Sequence, residues 1–174
     1  MSGSLLTKKV SGKDQVQGSS SAVIELVEYG DYQCPHCGRA YPIVKKIQQA
    51  LGDRLKFVFR NFPLTNIHAD AMNAAVAAEA AGIQGKFWEM HDLIYENQDQ
   101  LSESYLFSYA QQLGLNVEQF QNDMVSEAVI SKVEDDFESG MRSGVNGTPS
   151  FFINGEKYSN SWDYEPLLNH LKSL

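Results

Sequence analysis

The chain holds two cysteines among its 174 residues, and they stand as a Cys-x-x-Cys pair within Cys34-Pro35-His36-Cys37. Two thiols at that spacing can cycle between a dithiol and a disulfide. An apolar run from Ala22 to Tyr29 precedes the pair, and a helix-like run from Arg39 to Leu51 follows it. A strand therefore meets a helix here, with Cys34 near the helix N-terminus. Unpaired backbone N–H groups and the helix dipole stabilise an anion at that place. Cys34 is thus expected to have a lowered pKa and to be the reactive sulfur. Pro35 suits a first helical turn, which needs no proline N–H. His36, when protonated, would stabilise the thiolate further. Three plainer readings compete. The pair could be half of a zinc site, although His68, His91 and His170 are isolated from one another and zinc usually takes a second short-spaced pair. It could be two inert core cysteines. His36 could be an ordinary exposed loop histidine.

Elements of about one domain's length must position this pair. The net charge of −8 argues against a nucleic-acid backbone or an anionic membrane as partner. No run approaches a membrane span. Met1 to Ser21 is polar and lacks the apolar core of a signal peptide. The expected address is cytoplasmic, or periplasmic if a signal has been removed.

Residues 1–20, rich in Ser, Gly and Lys, are read as a flexible lead-in with a short strand around Val16, and Ser2-Gly3-Ser4 as a cloning remnant. Residues 21–174 are read as a single domain. Ala22–Tyr29 is a strand covered on both faces, interrupted by Glu25 and Glu28. Cys34–Leu51 is a helix bent at Pro42 and ended by Gly52. Leu55–Asn61 is a second strand, parallel to the first. Helices are expected over Ala69–Ala81, Lys86–Asn97, Glu103–Leu113, Val117–Met124 and Glu127–Met141, forming an insertion at about 65–143. Ser102 is the expected cap of the third of these, and Glu134-Asp135-Asp136 a solvated face. His68 and His91 are read as helix-surface or packing residues, Phe87 and Trp88 as core. Ser150–Asn154 and Glu156–Tyr158 form a hairpin turning at Asn154-Gly155. A last helix, Tyr164 to Ser173, is capped by Asp163. The fold class is α/β: a central mixed sheet flanked by helices, with a helical insertion between βαβ and ββα halves.

Thr148-Pro149 starts the third of these strands. Proline is tolerated at a strand's first residue, and X-Pro alone has a modest cis penalty. An ordinary trans turn proline is the plain alternative to a cis bond facing the cysteines.

Taken together, Cys34-Pro35-His36-Cys37, the Pro42 helix, Thr148-Pro149 and the closing ββα resemble the thioredoxin superfamily. The Pro-His pair between the cysteines, the insertion and Gln84-Gly85-Lys86-Phe87-Trp88-Glu89-Met90-His91 resemble its DsbA-like branch, in particular the bacterial members without a signal peptide. The resemblance spans residues 20–174. It implies a thioredoxin fold with the insertion above the active site, a cis Pro149, an exposed nucleophile Cys34 and a buried resolving Cys37. It implies that the Thr148 backbone hydrogen-bonds an extended substrate. It further implies that Glu28 is a buried acid beneath the disulfide, able to take the Cys37 proton; a solvated strand-end carboxylate is the alternative. The family's periplasmic prototype has valine before the cis-proline, where this chain has Thr148, so that member's oxidising strength does not transfer. The implied activity is thiol–disulfide exchange on protein or peptide thiols and disulfides, with glutathione or a redox protein as electron partner and no metal or organic cofactor. A redox-independent peptide-binding or chaperone-like protein, and a glutathione-dependent transferase or isomerase, are the rival classes.

Overall fold

The computed structural model describes residues 4–174. Two parallel strands form its centre, β2 (Ile24–Gly30) and β3 (Leu55–Asn61), joined by helix α1 (Pro35–Leu51) and a short 3₁₀ turn (Gly52–Arg54). α1 runs unbroken through Pro42, which has no N–H to give back to the Gly38 carbonyl. It stops at Gly52, whose φ of +51° suits a residue without Cβ. An N-terminal strand β1 (Gln15–Gly18) pairs antiparallel to β3, and a C-terminal hairpin, β4 (Ser150–Ile153) and β5 (Glu156–Tyr158), extends the other side of β2. The sheet order is β1-β3-β2-β4-β5. Asn154 and Gly155, both at positive φ, make the hairpin turn.

Between β3 and β4 come α2 (Ala71–Ile83), α3 (Phe87–Glu96), α4 (Glu103–Gln112), α5 (Val117–Met124) and α6 (Glu127–Arg142). The chain closes with α7 (Tyr164–Lys172). The mixed α/β class and each expected helix are present; Val117–Met124 has both expected ends, and no end of the others is moved by more than two residues.

Alternation along β2 explains why all of it but the half-buried Glu25 is buried. Ile24 and Leu26 enter the large core beneath α1, α2 and α3. Val27 and Tyr29 enter a smaller core with Val58, Phe62, Val145 and Phe152. By the same two-residue period, Glu28 lies on the α1 side of the sheet.

Four expectations differ from the structure. The lead-in is tied down from Ser4 onward, and only Met1, Ser2 and Gly3 lie outside the described residues. Leu6 N–H donates to the Gly155 carbonyl and Lys157 N–H to the Ser4 carbonyl. Asp14 pairs with the buried Arg60, whose Nη1 also reaches the Tyr29 hydroxyl. A segment of small polar residues looks disordered by composition, but here an edge strand and one buried guanidinium hold it. Asp136 is not on a solvated face. It is buried, accepting from the Asn61 backbone and amide and pairing with Lys132. Ser102 and Asp163 stand at N-cap positions without accepting a cap bond; Asp163 instead meets Arg39. His68 is in the turn before α2 rather than on a helix, where its Nδ1 is 2.7 Å from the Asp31 carboxylate. Phe87 is core as expected, and Trp88 packs partly buried against it.

Candidate active site

The pair of cysteines sits where the C-terminal end of β2 turns into α1. Asp31 sets this turn. Its side chain is fully buried and accepts from the Gln33 and Leu64 N–H groups as well as facing His68. Cys34 is the N-cap residue of α1 and Pro35 follows at the first helical position. The antiparallel pairing of β2 with β4, which sets Tyr29 opposite Ser150, brings Thr148-Pro149 to the same end of the sheet. The Thr148–Pro149 peptide is cis. Cys34 Sγ lies 3.6 Å from the Thr148 carbonyl oxygen. The Thr148 hydroxyl is buried on the same side, with no well-aligned hydrogen-bond partner among the described residues, close enough to Cys34 to favour its thiolate.

Both thiols are free. The resemblance implied an exposed Cys34, yet only 4% of its surface is accessible, against none for Cys37. The Thr148 carbonyl and the tight N-terminal turn cover it. Pro35 and His36, by contrast, are exposed. The two sulfurs nonetheless have opposite characters. The Cys37 thiol donates to Cys34, and with a contribution from Thr148 and from the backbone N–H groups of Cys37 and His36 this outweighs desolvation. The Cys34 pKa falls to about 5. Burial pushes Cys37 up, as do its bond to Cys34 and the charges of Glu28 and Cys34. Asp31 N–H is 3.5 Å from Cys37 Sγ.

Glu28 is buried, 3% exposed. Burial, then the Cys34 thiolate, raises its pKa to about 8. The solvated strand-end alternative does not describe it. Among the described residues no cluster of three or more His, Cys, Asp or Glu side chains is arranged to hold a metal ion.

Sequence reasoning missed Gln98. It lies just after α3, and its Nε2 donates to both the Tyr32 and the Cys34 carbonyls at 2.9 Å. Its Oε1 occupies the space that a Cβ on Gly38 would need. The insertion thereby grips the first turn of α1. A lone glutamine in a loop carries no local signal of this. His91 and Tyr95 of α3 were also missed as site residues; both line one small cavity with Glu28.

A strand–turn–helix bearing Cys-x-x-Cys, opposed by a proline loop on an antiparallel neighbour, is the arrangement of a thioredoxin fold. The chain belongs to the thioredoxin family, whose model, described as "Thioredoxin", matches residues 10–173. Its structural likenesses are to DsbA-type thiol-disulfide oxidoreductases. A thioredoxin-like oxidoreductase from Silicibacter pomeroyi superposes with a TM-score of 0.84 at 27% identity, covering 94% of this chain and 92% of that one. Oxidised BdbD from Bacillus subtilis gives 0.82 at 26%, covering 99% and 96%. Wolbachia pipientis alpha-DsbA1 shares the fold, with a TM-score of 0.83 at 20% identity over 95% and 92% of the two chains. Among curated sequences, a Na(+)/H(+) antiporter NhaA 1 of Mycolicibacterium vanbaalenii is 40% identical over 163 residues, which is 92% of this chain and 26% of that protein. The chain spans about a quarter of the length of the curated relatives it matches. No described helix is long and apolar enough to cross a membrane.

Proposed function

We propose that the chain exchanges thiols and disulfides with protein or peptide substrates through Cys34 and Cys37. The carrying observation is geometric: two free thiols at Cys-x-x-Cys spacing stand at the start of α1, Cys34 at the N-cap position with its Sγ 3.6 Å from the Thr148 carbonyl oxygen and Cys37 fully buried one turn on, an arrangement that lowers the Cys34 pKa and raises that of Cys37. In the reducing direction the Cys34 thiolate attacks a substrate disulfide. A Cys34–substrate disulfide forms and one substrate thiolate leaves. Cys37, its proton passed to Glu28, then attacks Cys34 and releases the second thiolate. The substrate gains two electrons and the Cys34/Cys37 pair loses them; the reverse sequence oxidises a substrate dithiol. Thr148 and Pro149 border the sulfur, and the Thr148 backbone is suited to pair with an extended substrate chain. His36, exposed beside Cys34, favours the thiolate when protonated.

The test is equilibration of the pair with a graded glutathione buffer, read by mass, together with trapping of a substrate on a Cys37→Ala variant. A measurable two-electron potential and a mixed disulfide at Cys34 are expected. A pair that forms no internal disulfide at any ratio would refute exchange and favour the redox-independent peptide-binding reading. The cytoplasmic address belongs to the proposal. It favours net reduction or isomerisation, because the glutathione pool there keeps most dithiols reduced.

A further inference from the structure

Beside Glu28, between α1 and α3, lies a cavity of about 10 Å³, room for one water molecule. Glu28, Tyr41, Lys45, His91 and Tyr95 line it, and the half-buried Gln17 and Gln48 close its outer side. Three polar groups near it are unusual. Glu28 is buried, and neither His91 Nε2 nor the Tyr95 hydroxyl has a hydrogen-bond partner among the described protein atoms. His91 is 4% exposed, enclosed by the rings of Tyr32, Tyr41, Phe59, Phe87, Trp88 and Tyr95. An aromatic cage of that kind would accept phenylalanine. A histidine there needs a reason.

The tautomer gives it direction. His91 Nδ1 lies 2.9 Å from Asp92 Oδ1. Burial pushes the Asp92 carboxyl up, but the His91 bond and the charges of His91 and Lys45 outweigh it and keep the group ionised near neutral pH. Nδ1 must then carry the proton, leaving Nε2 as a lone-pair acceptor. Burial also favours the neutral ring, against the pull of Asp92. A water in the cavity can donate one hydrogen to Nε2 and the other to the Glu28 carboxylate, and accept from the Tyr95 hydroxyl. Three partners are what a buried water typically has.

We propose that His91 is a positioning residue for exchange: it orients a cavity water that hydrogen-bonds the Glu28 carboxylate and so keeps Glu28 able to receive the Cys37 proton. The inference rests on the exchange reading. The proton moves from Cys37 Sγ to Glu28 and leaves through the water toward Lys45, Gln48 and Gln17 at the outer wall; no electrons move in this step. The charged and titratable groups around Glu28 are Cys34 at the N-cap of α1, Cys37, Tyr41 and Lys45 from α1, His91, Asp92, Tyr95 and Glu96 from α3, and Asp31 and Tyr32 from the β2–α1 turn.

The test measures release of a peptide thiol from its mixed disulfide with Cys34, in single turnover, against pH. Wild type, His91→Phe, His91→Gln, Glu28→Gln and the His91→Phe/Glu28→Gln double variant are compared, with circular dichroism confirming folding. Without the oriented water the Glu28 carboxylate loses a donor, so the midpoint for Cys37 attack should rise by about one pH unit in His91→Phe. Release near neutral pH should then slow about tenfold. His91→Gln keeps a polar group without the ring's geometry and should shift less, in the same direction. If His91→Phe does not fold, His91→Gln carries the test alone. In the Glu28→Gln background the His91 change should leave the midpoint where it is. Profiles superimposable on wild type, or a shift undiminished when Glu28 is already glutamine, would overturn the inference while leaving exchange intact. A wild-type protein that releases no thiol at any pH would overturn both.

Discussion

Replacing Glu28 by glutamine should make the stability of the reduced protein, relative to wild type, rise with pH. Burial, then the Cys34 thiolate, raises the Glu28 pKa from 4.5 to about 8. A raised folded-state pKa contributes stability that is fully present below the unfolded value and is lost as pH rises through the folded one. The window therefore runs from 4.5 to about 8. At about pH 7 the unfolded carboxyl is ionised while the folded one is still mostly neutral. The loss is then about 2.5 pH units' worth, or about 3 kcal/mol, at 1.36 kcal/mol per unit. Near pH 5 it is below about 1 kcal/mol, and above the folded pKa it levels off at about 5 kcal/mol. The glutamine variant has no such term. Burying its amide costs about 1–3 kcal/mol of its own, but that cost is independent of pH. The slope therefore carries the test, not the intercept. Urea unfolding of both proteins under excess reductant, from about pH 5 to about pH 9, yields the difference directly. The variant's relative stability should climb with a maximum slope of about 1.4 kcal/mol per pH unit. A difference that stays flat across the window would refute the assignment of a buried, neutral carboxyl at Glu28.

Other outcomes follow from the same geometry. The Cys34 thiolate, followed by its ultraviolet absorbance, should titrate near 5 in the wild type. In Cys37→Ala it should titrate at least about one unit higher, since the Cys37 bond is the largest stabilising contribution; an unchanged midpoint would assign the low value to the helix terminus alone. Gln98→Ala removes two hydrogen bonds to the Tyr32 and Cys34 carbonyls, and should lower stability by about 1–3 kcal/mol in denaturant and raise the alkylation rate of Cys34.

The fold was legible because its local signals agreed with one another. The apolar run of β2, the glycine after α1, the alanines of α2 and the Asn154-Gly155 turn each report on neighbours a few residues away. The reactive cysteine was legible for the same reason, since capping a helix is a local event. Thr148-Pro149 was readable only through strand order, because its distance from Cys34 along the chain is 114 residues. What escaped were pairings with no composition to announce them. Gln98 meets the Cys34 carbonyl across 64 residues, and Arg60 reaches Asp14 across 46. Asp136 looked like part of an acidic surface run because charge patterning cannot say which of three adjacent carboxylates turns inward. Its burial depends on Asn61 and Lys132 arriving from β3 and from one turn earlier in α6.

The missed residues nearest the cysteines share an origin that bears on how the site works. His68, His91, Tyr95 and Gln98 all lie in the segment between the βαβ and ββα halves. Gln98 holds the first turn of α1 from above, through the carbonyl of the reactive residue itself. His91 and Tyr95 form the floor on which Glu28 rests. His68 closes on Asp31, which fixes the turn into the cysteines. The strand–helix unit supplies the two sulfurs and their difference in burial, while the insertion contacts that unit above, below and at its turn. Changes within the insertion, far from either cysteine in sequence, should therefore alter the chemistry of the pair more readily than changes on the exposed face of α7. Its short polar contact at Asp163–Arg39 is exposed on both sides and contributes little to the position of either sulfur.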